Sequence, residues 1–84
     1  MYSIEYSKKA QKFIESQSKK VALRIIGKIE ALAVAPYADN SNVKKLKGRD
    51  GYRLRIGDIR VIYDIIADKL LINVIDVGFR GGIY

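Results

Sequence analysis

The chain opens with a strict alternation. Tyr2, Ile4 and Tyr6 fall on one side and Ser3 and Glu5 on the other, which is the period of a short strand. From Ser7 the period lengthens. Ser7 is placed to cap a helix over Lys8–Glu15, with Phe13 and Ile14 as its apolar side. Ser18 is placed to cap a longer helix, in which Val21, Ala22, Ile25, Ile26, Ile29, Leu32 and Ala33 recur at spacings of three and four. Lys19, Lys20, Arg24, Lys28 and Glu30 lie mostly off that stripe and read as its wetted face. Pro36 ends the helix, and Asp39-Asn40-Ser41-Asn42 reads as a loop. Beyond Val43, β-branched and aromatic residues predict strands over Tyr52–Ile56, Ile59–Ile66 and 70–77. Gly57-Asp58 suits a two-residue hairpin turn, and Ala67-Asp68 predicts a second turn. No repeat or linker interrupts this order. The expectation is one α+β domain over residues 1–84, an αα-hairpin packed on one face of a small twisted antiparallel sheet.

The hairpin turn fixes a register. With Gly57 and Asp58 as the loop, Ile56 faces Ile59, Arg55 faces Arg60, Leu54 faces Val61, Arg53 faces Ile62 and Tyr52 faces Tyr63. One face then carries the apolar set, extended by an expected pairing of Tyr63 with Ile72 and Val61 with Val74. The other carries Arg53, Arg55, Arg60, Asp64 and Asn73, with Ile62, Leu71 and Ile75 among them. A slip of one residue would bury the arginines. Arg55 and Arg60 are therefore opposed across a strand pair, where like charges destabilise. Either solvent screens them, or a bound anion supplies the missing charge. Planar guanidinium groups hold phosphate bidentately, so a phosphodiester is the natural candidate.

Composition narrows the chemistry. The chain has no His and no Cys, which excludes the usual nucleophilic triads, disulfides and nearly all zinc sites. Sixteen Lys and Arg against nine Asp and Glu give a net charge of +7, a field that favours polyanionic partners. Lys44, Lys45, Lys47 and Arg49 precede the arginine strands and are candidate RNA contacts, although Lys44 and Lys45 read equally well as protection of an edge strand. After the last strand, the glycines of Gly78-Phe79-Arg80-Gly81-Gly82-Ile83-Tyr84 allow the tail to bend Arg80 and Tyr84 towards the basic face. Phe79 and Tyr84 would stack on bases there, or pack against the sheet. No apolar run is long enough to cross a bilayer, and no signal peptide is visible at Met1-Tyr2-Ser3-Ile4-Glu5-Tyr6. The expected compartment is the cytoplasm, with no membrane partner.

Three stretches together resemble the RelE/ParE family of bacterial toxins: Lys44-Lys45-Leu46-Lys47-Gly48, the run Tyr52-Arg53-Leu54-Arg55-Ile56-Gly57-Asp58-Ile59-Arg60-Val61-Ile62-Tyr63, and Val77-Gly78-Phe79-Arg80. The resemblance implies a RelE-like, microbial-RNase-type fold and a cognate antitoxin that wraps the toxin. RelE-like members cut messenger RNA in the ribosomal A site, whereas ParE-like members poison DNA gyrase. An arginine after the last strand and a tyrosine near the end, here Arg80 and Tyr84, are similar to the RelE branch. By the same resemblance Arg53, Arg55, Arg60, Arg80 and Tyr84 are the implied catalytic residues, with no cofactor or metal. Two positions depart from the family pattern. Arg53 and Arg55 stand where lysines are common, and Phe79 stands where many relatives carry histidine. Arginine is a poor general base, so Lys45 or Lys47 is left to take that role, and slow or heavily ribosome-assisted cleavage is implied. A homologue that has lost activity and survives as an antitoxin partner is the remaining alternative.

Overall fold

In the computed structural model, which describes residues 1–81, both helices begin at the serines that the sequence offers as caps. Helix α1 is Lys8–Glu15; the Ser7 hydroxyl accepts from the Ala10 N–H at 3.0 Å and donates to the Ile75 carbonyl at 2.8 Å. One side chain thus starts the helix and ties it to the last strand. Helix α2 is Lys19–Val34, and Ser18 accepts from the Val21 N–H at 3.3 Å. It stops where Ala35 turns to φ −143°, as expected of the residue before a proline.

Five strands form one sheet: β1 Ser3–Tyr6, β2 Val43–Lys45, β3 Tyr52–Ile56, β4 Ile59–Ile66 and β5 Leu71–Phe79, in the order β1-β5-β4-β3-β2. The β2, β3, β4 and β5 pairs are antiparallel, but β1 lies parallel to β5. The expected all-antiparallel sheet is corrected at this edge. The helical hairpin and three strands intervene between β1 and β5, so their connection is a crossover and not a tight turn.

The β3–β4 register is the one read from Gly57-Asp58, with Gly57 at φ 59° and Arg55 opposite Arg60. The β4–β5 register is not. Tyr63 faces Val74 and Val61 faces Val77, in place of Ile72 and Val74. The turn takes four residues, a 3-10 turn at Ala67–Lys69 followed by Leu70 at φ 50°, which moves the start of β5 to Leu71. A bulge where Ile62 meets Asp76 and Tyr63 meets Val74 then adds Ile75 as an extra residue, and the strand continues to Phe79.

Leu54, Ile56, Ile59, Val61, Tyr63, Ile72, Val74 and Val77 meet Ala10, Ile14, Ile25, Ile29, Leu32 and Ala33 from the helices in one apolar cluster. No described helix is long and apolar enough to cross a membrane. The helices cover one face of the sheet only. On the other, Ile62 is still just 5% exposed, beside Leu46 and Lys47 of the β2–β3 loop.

Candidate functional site

The pleat sorts the uncovered face into two rows. Arg55, Arg60 and Gly78 are partners across β3, β4 and β5, and Lys44, Arg53, Ile62 and Asp76 are partners across β2 to β5. Gly78 presents no side chain beside Arg60, so that row is left open. The Arg80 N–H donates to the Asp58 carbonyl at 2.7 Å, fastening the segment after β5 to the β3–β4 turn. That bond brings a third guanidinium to the row, and a fourth to the face.

Electrostatics report the crowding. The Arg55 guanidinium is held below its ordinary pKa, first by Arg80, then by burial, then by Arg53 and Arg60. The Nε atoms of Arg53 and Arg55 are buried and have no hydrogen-bond acceptor among the described residues. Asp64, the carboxylate that the hairpin register puts on this face, lies opposite Asn73 and accepts from the Ile65 N–H at 2.8 Å. Cations that repel one another, with two donors in reserve, are able to receive an anion.

Beside the arginines lies a hollow of about 380 Å³. Its cationic border includes Lys44, Lys47, Arg49 and Arg53, and Leu46, Ile62 and Ile75 give it an apolar floor. Asp76 completes the wall. Its Oδ2 pairs with Lys9 at 3.2 Å, and its Oδ1 is buried with no donor among the described residues.

The structure therefore gathers Arg53, Arg55, Arg60 and Arg80, and it places Lys44, Lys47 and Arg49 on the same side. Lys45 borders the hollow, but its pleat position shares the helix side with Val43 and Tyr52. Of the two readings of Phe79, stacking on a base or packing against the sheet, the structure shows the second, and the basic face does not include its ring. Phe79 is opposite Ile59 on the helix side, edge-on to Phe13 with ring centroids 5.1 Å apart. Two residues beyond Val77, it follows that residue's side of the pleat. Tyr84 lies outside the described residues. Asp76 was missed; the available signal was a single charged residue in a strand that is apolar but for Asn73.

A family model described as the ParE toxin of the type II toxin-antitoxin system parDE matches residues 4–84. Among solved structures, the archaeal RelE–RelB complex from Pyrococcus horikoshii OT3 superposes with a TM-score of 0.82 at 29% identity, covering 96% of this chain and 97% of that one. The RelB–RelE antitoxin–toxin complex from Methanococcus jannaschii gives 0.72 at 25% identity, covering 94% and 93%. The intact E. coli RelBE complex gives 0.78 at 24% identity over 94% and 96%, a likeness of fold alone. No curated protein matches.

Proposed function

The chain belongs to the ParE toxin family of type II toxin–antitoxin systems, and on that footing we propose that it is a ribosome-dependent endoribonuclease that cuts messenger RNA in the A site and is neutralised by a cognate antitoxin. The observation that carries this reading is the open row in which Arg55 faces Arg60 with Arg80 beside them. In the reaction the ribose 2′-oxygen attacks the adjacent phosphorus. The P–O5′ bond breaks, the 2′-hydroxyl proton is lost and the departing 5′-oxygen gains one. Negative charge grows on the non-bridging oxygens, where Arg55, Arg60 and Arg80 stabilise it more strongly than in the ground state. Arg53 and the cations of the hollow hold flanking phosphates. The proton transfers fall to Lys45, Lys47, Tyr84 or ribosomal groups, since the chain has no histidine. Such a reaction takes place in the cytoplasm.

The antitoxin proposal follows from charge and from the relatives, which are solved with RelB. A +7 surface suits an acidic segment that folds on binding. The family's name favours a second reading, a ParE-like poison of DNA gyrase.

One induction experiment separates the two. Primer extension on messages after toxin induction should show new 5′ ends within codons. Arg55→Ala should lower their yield by about 10²–10³-fold, the cost typical of removing one donor to a developing oxyanion. Intact messages together with double-strand DNA breaks would establish the gyrase reading instead.

A further inference from the structure

We propose that the hollow beside the arginine row is a nucleobase subsite, and that Asp76 makes it select an amino-bearing base over uracil. The inference rests on the nuclease reading above and deepens it, because the phosphate row alone carries no sequence information.

Three observations converge on this hollow. Its floor of Leu46, Ile62 and Ile75 is apolar, which suits the flat face of a base and not a phosphate. It adjoins the arginine row, since Arg53 and Arg55 lie two residues apart on one face of β3. It also contains two opposite unmet needs in a single row. Among the described residues, Arg53 Nε is a buried donor without an acceptor, Asp76 Oδ1 is a buried acceptor without a donor, and Ile62 lies between them. Their strands are two spacings apart, about 10 Å, too far for the backbone register alone to pair them. An occupant with an apolar body, an acceptor at one edge and a donor at the other answers both.

The chemistry at Asp76 decides which base. With Oδ2 held by Lys9, one carboxylate oxygen remains, and a carboxylate accepts but cannot donate. The exocyclic amine of cytosine can satisfy it, as carboxylates do when they read that base. Uracil sets a carbonyl oxygen at the same place and would face the carboxylate oxygen with its own lone pairs. A single contact of this kind is worth about tenfold in affinity.

The test uses the full chain and titrates cytidine 3′-monophosphate, uridine 3′-monophosphate and inorganic phosphate at one ionic strength, following backbone amide shifts. The cytidine compound should bind about tenfold more tightly than the uridine one and shift Ile62, Ile75 and Asp76, while phosphate shifts the Arg55 and Arg60 strands. Asp76→Asn, whose amide can both donate and accept, should bring the two nucleotides within twofold. Lys9→Gln, which removes the ion pair and leaves the carboxylate, should keep the preference. If Asp76→Asn does not fold, the ratio in the unaltered chain decides: nucleotides within twofold of each other, with shifts confined to the arginine strands, overturn the subsite and leave the nuclease reading intact. Occupation of the hollow by an acidic peptide that nucleotides do not displace also overturns it. A clear base preference in a protein that cuts no message on the ribosome supports the subsite and removes the nuclease reading.

Discussion

Tyr63 and two arginines of the open face, Arg53 and Arg55, hold polar atoms without partners among the described residues, and burial separates their meanings. Tyr63 is fully buried, stacked on Tyr52 at 5.5 Å, and its hydroxyl makes no hydrogen bond to the described residues. Burial first, and Tyr52 second, push its pKa from 10.0 up to about 12. The neutral phenol is therefore favoured in the fold. Its contribution is fully present below pH 10.0 and is lost as the pH rises towards 12, on the order of 2 kcal/mol in all. Tyr63→Phe should flatten that alkaline loss in denaturant titrations taken between those limits. At neutral pH the same variant should be equal to the parent or more stable, by less than about 1 kcal/mol, because no hydrogen bond is removed. A large loss at neutral pH would reveal a partner for the hydroxyl. Arg53 and Arg55, by contrast, keep half-buried side chains at a surface from which an anion can approach.

At the scale of elements, the β2–β3 loop is the part that shapes the hollow. Leu46 N–H donates to the Gly51 carbonyl at 3.0 Å and closes the loop beneath Lys47 and Arg49. Gly48 and Gly51 both adopt positive φ, 73° and 116°, but only Gly51 is also crowded. A Cβ there would sit 3.1 Å from the Tyr63 carbonyl oxygen, whereas at Gly48 nothing lies within 4 Å. Gly51→Ala should therefore cost about 1–3 kcal/mol in thermal or urea unfolding and weaken RNA binding by loosening the loop. Gly48→Ala should cost about 1 kcal/mol and no more. Equal losses would mean that the close approach to Tyr63 is not what holds the loop. The elements also show why some of the site was legible and some was not. The Arg55–Arg60 pair could be read because Gly57-Asp58 fixes a register within a few residues. Asp76 could not be placed, because its position depends on a four-residue turn and a bulge at Ile75, neither of which leaves a clear mark in an apolar strand. Phe79 stood between stacking and packing for a related reason, since the strand continues past the expected end and carries its ring to Phe13.

For the molecule as a whole, sequence patterning was enough for two helices on one side of a sheet, because that arrangement depends on periodicities that run the length of each element. It did not choose between RNA and gyrase, because one basic face on one fold can meet either partner. Salt supplies a discriminating measurement at this scale. Binding of single-stranded RNA through phosphate contacts releases counterions, with a slope of about −0.7 per phosphate in a log–log plot. About three or four phosphates held by Arg53, Arg55, Arg60 and Arg80 with the cations of the hollow would give a slope of roughly −2 to −3. Raising salt from about 50 to about 200 mM should then weaken binding of an RNA oligonucleotide by roughly 15- to 60-fold. Arg55→Gln should reduce the slope by about one contact, near 0.7, and not merely lower affinity at every salt concentration. The +7 charge alone would also attract RNA, but it is spread over both faces. Removing one lysine from the outer face of α2, Lys28→Gln, should therefore leave the slope nearly unchanged. If Lys28→Gln and Arg55→Gln flatten it equally, the attraction belongs to the whole surface, and the arginine row is not a phosphate-binding site.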